Sequence, residues 1–212
     1  MLLAMVVNLL GCGQRELVVP TATSGVPPAP AIEYAGGLTL PAQGGSTVVM
    51  RDAGATLWHV RADGRRTWSD LCAALERAPM AVNEFGYVYV AAAVVSDHAH
   101  HTVVMAWYPS FPRQQHPWPQ LRVLSQDPQG RPMVHIDGDL REGDPAAALG
   151  ASFEGTFRRD VFLELEEALP WQEAVSLVDW ANDIGAIRVV LPPCDARNVY
   201  TELEDAAGRV WL

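Results

Sequence analysis

Residues 161–193 read VFLELEEALPWQEAVSLVDWANDIGAIRVVLPP, and the fold is decided there. From Asp160 to Glu166, apolar Phe162, Leu163 and Leu165 alternate with Glu164 and Glu166, the pattern of a half-exposed strand. Pro170 suits a first helical turn, with Glu166 and Glu167 on the favourable side of the helix dipole. Trp171, Ala174, Val175, Val178 and Ala181 then form one apolar stripe. Gly185 is placed to end the helix, because it enters the left-handed conformation without a steric penalty. Ile187 to Leu191 returns as a buried strand. Consecutive strands joined by a helix run parallel or nearly so within one sheet.

Working back from this unit, a small helix is predicted near Asp144 to Leu149. Leu121 to Ser125 and Pro132 to Asp137 pair as a hairpin turned by Asp127-Pro128-Gln129-Gly130. Gly86 to Val95 and Thr102 to Tyr108, rich in Val and Tyr, form a second hairpin around Ser96 to His101. Thr67 caps a helix with Asp70 at its third position. Trp68, Leu71, Cys72 and Leu75 share one face of it, and Pro79 ends it. Ser46 to Arg51 and Ala55 to Ala62 read as strands joined by Asp-Ala-Gly. The sum is an α+β fold, a mixed sheet with hairpins and two amphipathic helices. The stretch HVRADGRRTWSDLCAALERA also lines up loosely with LELEEALPWQEAVSLVDWAN. Trp68 and Trp171 then mark matching helix starts, through either true repetition or a shared amphipathic pattern.

The charge balance excludes one class of partner. Twenty-five Asp and Glu face fifteen basic residues, all arginine, for a formal charge of −10. Such a surface repels phosphate backbones, and no basic helix or aromatic-basic platform offsets it. Nucleic acid is not an expected partner.

The amino terminus points to a membrane. Met1 to Leu10 is apolar except for Asn8, too short to span a bilayer but suited to the apolar region of a signal peptide. Leu9-Leu10-Gly11-Cys12 follows and resembles the lipobox of bacterial lipoproteins. That resemblance implies a signal peptide over 1–11, with lipidation of Cys12 and a mature chain beginning there. Gly13 and Gln14, with no Asp after the cysteine, imply by the same resemblance the periplasmic side of the outer membrane. Residues 12–45 are dense in Pro, Gly, Ala and Thr and read as an extended tether.

The remaining calculus of sites is sparse. Cys72 and Cys194 form an even pair in an oxidising compartment, so a disulfide or two separate thiols are both open. Asp97, His98, His100 and His101 are the residue types of a zinc or copper site. On an extended segment His98 and His100 share a side while His101 points away, so a ligand such as His59, His116 or His135 would have to complete it. The alternative is a solvated hairpin tip, with no cofactor. Trp107, Tyr108, Phe111 and Trp118 flank a Pro-rich loop and are the expected aromatic surface for a glycan or protein partner. Glu164, Glu166 and Glu167 read as a solvated strand face. No nucleophile elbow, phosphate loop or Cys-x-x-Cys pair is present, and no enzyme is expected.

The unit at 161–193 resembles the periplasmic domain of the ExbD/TolR family. The matching residues are Glu166, Leu169-Pro170-Trp171, Val175, Val178, Gly185 and Val189-Val190. The resemblance implies an amino-terminal α+β subdomain over 46–126 and an ExbD/TolR-like subdomain over 127–212. That family couples proton flow through an acidic residue in a membrane-spanning helix, which this sequence does not contain. The implied role is therefore the periplasmic part alone: contact with an envelope protein or peptidoglycan, or homodimerisation. A metal-binding protein or metal-dependent enzyme built on Asp97 to His101 is the competing expectation.

Overall fold

The structure, a computed structural model, describes residues 17–23, 34–50, 57–96, 99–111, 120–196 and 198–206. In chain order the elements are β1 (Gly36–Leu40), β2 (Thr47–Met50), β3 (Leu57–Ala62), α1 (Trp68–Arg77), β4 (Val88–Ser96), β5 (Ala99–Trp107), β6 (Arg122–Gln126), β7 (Pro132–Ile136), β8 (Asp139–Leu140), α2 (Pro145–Ser152), β9 (Asp160–Leu163), α3 (Trp171–Ile184), β10 (Arg188–Leu191) and α4 (Val199–Ala206). The fold is α+β. Its strands join one mixed sheet in the order β2-β1-β3-β4-β5-β10-β9-β6-β7-β8.

The unit at 161–191 forms as its pattern dictates. All five residues of the predicted stripe on α3 are buried, and Gly185 closes the helix at φ 109°. Burial of each large apolar side chain contributes about 1.5–3 kcal/mol, which holds the helix on the sheet. Pro170 occupies the N-cap position, so the helix starts at Trp171. Strands β9 and β10 are direct parallel neighbours, with Val161 opposite Val189. At α1, Thr67 Oγ accepts from the Asp70 amide and the Asp70 carboxylate accepts from the Thr67 amide, closing the capping box.

Strands β2 and β3 form where expected, and each pairs with β1, β2 antiparallel and β3 parallel. One expectation is corrected. Strand β1 itself lies in the stretch expected to be a tether. Leu38 and Leu40 bury completely or nearly so, and two leucines on one face suffice because strands flank them on both sides. Gly36 fits against Trp58: a Cβ there would lie 2.6 Å from the Val49 carbonyl oxygen. Residues 17–23 are also held in the fold. The Gly64 amide donates to the Val18 carbonyl, the Val95 amide to that of Pro20, and the Thr23 amide to the Asp179 carboxylate.

Helices α1, α2 and α3 cover one face of the sheet, where their apolar residues share a core with Leu38, Val60, Val90, Leu124 and Val189. On the opposite face, α4 contributes Val199 and Leu203 to a smaller core with Tyr108, Val123 and Phe162. The subdomain boundary expected at 126/127 falls inside the β6–β7 hairpin, and the larger core takes residues from both sides of it.

The two halves repeat one topology. In the first, hairpin β1–β2 pairs in parallel with β3, and α1 crosses to parallel β4. In the second, hairpin β6–β7 pairs in parallel with β9, and α3 crosses to parallel β10. The registers agree as well. Leu38 lies between Val48 and Val60, and Leu124 lies between Val134 and Leu163. The halves meet at an antiparallel bridge between Thr67 and Pro170. Around it the hydrogen bonds are reciprocal: the Trp68 amide donates to the Leu169 carbonyl and the Trp171 amide to that of Arg66. The Ser69 amide donates to the Glu167 carbonyl and the Gln172 amide to that of Gly64 in the same fashion. Reciprocity of this kind marks a twofold relation, here within one chain.

Candidate functional site

Strand pairing opens a cleft in the second half. Parallel pairing of β1 with β3 runs to Leu40 opposite Ala62, and the Asp63 amide still donates to the Leu40 carbonyl. Pairing of β6 with β9 stops at Leu124 opposite Leu163, after which only the Glu164 amide reaches the Leu124 carbonyl. Beyond that point the strands diverge. The gap is a cleft of about 620 Å³ at the carboxyl ends of two parallel strands, where open sheets commonly receive ligands.

Alternation along the strands fixes what the cleft presents. Val123 packs beneath α4, so Ser125, two residues on, shares that face. Met133 lies opposite Ser125 and His135 opposite Val123, and both line the cleft beside Ser125. Val199 of α4 and Leu165 and Leu169 add apolar wall, and Glu164, Glu166 and Glu173 add carboxylates. Asp127 stands at the rim, already occupied by Arg131: Nε lies 2.7 Å from Oδ2, and the Arg131 amide donates to Oδ1 at 2.9 Å. The Arg131 amide, then its side chain, holds the Asp127 carboxyl below its ordinary range. Among the described residues no ion pair engages Glu164, Glu166 or Glu173. Ser125 is 7% exposed, and its hydroxyl has no hydrogen-bond partner among the described residues. Leaving a buried hydroxyl unpaired costs about 1–3 kcal/mol. The surface suits recognition of a cationic group.

Glu166 and Glu167 are exposed and Glu164 is half-buried, as a solvated face requires, but Glu164 and Glu166 lie just past β9 and also wall the cleft. Their residue types were legible, but the divergence of β6 from β9 was not. A signal did exist in the echo between the two helix-opening segments, which aligns Asp63 with Glu166 and Asp70 with Glu173.

The expected aromatic surface is corrected. Trp107 and Tyr108 are each 3% exposed and pack into the two cores on opposite faces of the sheet. Burial pushes the Tyr108 phenol up to about 12. Phe111 is half-buried, 6.1 Å from both the Tyr108 and Phe162 rings, and Trp118 lies outside the described residues. The reason is alternation: adjacent residues at the end of a central strand must face opposite layers, and both layers here are filled.

Of the expected metal ligands, Asp97 and His98 lie outside the described residues. For His100 and His101 the structure gives the backbone, paired with Val95 and Val94 in the β4–β5 hairpin. His116 is also outside, His135 lines the cleft, and His59 stands 5.1 Å from the Tyr34 ring. Among the described residues no three His, Cys, Asp or Glu side chains are grouped to hold a metal ion. Cys12 lies outside them too. Cys72, on the buried face of α1, and Cys194, just past β10, are joined in a disulfide with Cα atoms 5.4 Å apart. No described helix is long and apolar enough to cross a membrane.

A scan against protein-family models, a search of curated proteins and a search of solved structures each return no match to this chain.

Proposed function

We propose that this chain is an exported, lipid-tethered binding module on the periplasmic side of the cell envelope, acting on an envelope protein or peptidoglycan rather than by catalysis. The observation that carries the compartment is the disulfide between Cys72 and Cys194. Such bonds persist where thiols are oxidised and are rare in a reducing cytosol. With those two cysteines paired, Cys12 is left over, the one cysteine set in a lipobox-like sequence. The resemblance to the ExbD/TolR periplasmic domain supports an envelope partner, and the open carboxylate cleft supplies a place to bind.

Mass spectrometry of the amino-terminal peptide from the membrane fraction of an expressing Gram-negative cell tests this reading. A diacylated or triacylated Cys12 is expected. An intact Met1 in the soluble fraction, with Cys72 and Cys194 reactive towards thiol reagents, would overturn it.

A further inference from the structure

The two halves of the molecule treat matching acids differently. In the first half, Asp63 stands five residues before Trp68 and Asp70 two after it. Both are met by arginines from the loop between them. Arg65 forks onto Asp63, with Nε 2.8 Å from Oδ1 and Nη2 2.8 Å from Oδ2. Arg66 reaches Asp70 Oδ2 at 3.4 Å, and its Nε donates to the Pro41 carbonyl at 2.6 Å. In the second half, Glu166 stands five residues before Trp171 and Glu173 two after it. The positions matching Arg65 and Arg66 are Ala168 and Leu169. The acids remain and the guanidinium groups are gone, and the strands part to leave a cleft there.

We infer that this cleft takes a guanidinium group on an apolar stem, paired with Glu166 or Glu173 as Arg65 is paired with Asp63 and Arg66 with Asp70 in the first half. The guanidinium fork matches carboxylate geometry bidentately. Leu169, Met133 and Val199 line the same cleft and suit a methylene stem. Ser125, whose buried hydroxyl has no hydrogen-bond partner among the described residues, lines the same cleft. A bare metal ion fits less well, since no three candidate ligands among the described residues converge. The volume of about 620 Å³ exceeds a lone head group and leaves room for stem or backbone. A small molecule and an arginine side chain of a partner both carry this group, and the two probes below distinguish them. The inference rests on the binding-module reading, but it is tested on the purified chain and so fails separately from the export test.

Isothermal titration of the full-length chain with butylguanidine, and with a Gly-Arg-Gly peptide blocked at both ends, provides the measurement. Both should bind, and tighter binding of the peptide assigns the source to a partner's arginine. Glu166→Gln with Glu173→Gln should weaken binding at least tenfold, whereas Glu154→Gln, an exposed acid away from the cleft, should leave it unchanged. Ala168→Arg, at an exposed position, should restore the guanidinium of the first half and block the titration while the circular dichroism stays the same. Absence of binding heat for both probes, or equal weakening by Glu154→Gln, would overturn the inference. So would undiminished binding in the Ala168→Arg chain.

Discussion

Asp63 shows how much one side chain does. Its carboxylate is fully buried, yet it accepts from the Val18 amide at 3.1 Å, the Arg65 amide at 3.0 Å and the Arg65 guanidinium. It therefore ties the amino-terminal stretch to the start of α1. The Arg65 side-chain hydrogen bond, opposed by desolvation and helped by the backbone amides, lowers its pKa from 3.8 to about 2. A depressed carboxylate pKa stabilises the fold above the unfolded value and loses that contribution as pH falls towards the folded one. Stability should thus decline between about pH 4 and pH 2. Asp63→Asn should flatten that limb and cost about 1–3 kcal/mol near neutrality, as buried donors lose a charged acceptor. Urea titrations of both chains across that pH range read the effect, and parallel limbs would count against it.

At the scale of elements, the disulfide joins α1 of the first half to the segment after β10 of the second. It closes a loop with a sequence separation of 122. Cross-linking a loop of that size restricts the unfolded chain by about 4–5 kcal/mol in the chain-entropy account, and measured values commonly fall nearer 2–5. Replacing Cys72 and Cys194 by alanine should lower unfolding free energy by that order, visible as an earlier urea midpoint with little change in slope. An unchanged midpoint would show that the bond adds nothing to packing that is already complete. The helices themselves should survive, since α1 keeps its capping box and α3 its buried stripe.

Across the whole molecule, the repeated halves do not amount to two domains. One sheet runs through both, β5 pairs with β4 on one side and β10 on the other, and the larger core draws on α1, α2 and α3 together. Reciprocal hydrogen bonds at Thr67 and Pro170 lock the halves at their pseudo-twofold axis. Unfolding should therefore be a single cooperative transition, coincident by tryptophan fluorescence and far-ultraviolet dichroism. Two separated transitions would mean that the halves fold independently. Strand β10 is interior to the sheet, paired with β5 on one side and β9 on the other.

The sequence by itself determined what depends on neighbours along the chain. The stripe from Trp171 to Ala181, the stop at Gly185, the Thr67–Asp70 capping box and the hairpins β4–β5 and β6–β7 all express local periodicity or short-range hydrogen bonding. Tertiary structure alone decided which strands adjoin, because pairing joins residues far apart in sequence and is set by the burial available on both sides. Leu38 and Leu40 were too few to identify a strand until β2 and β3 flanked them. Trp107 and Tyr108 looked like surface until both layers proved filled. The cleft was hidden for the same reason: Glu164, Glu166 and Ser125 were legible as residues, but the parting of β6 from β9 is a property of neither strand alone.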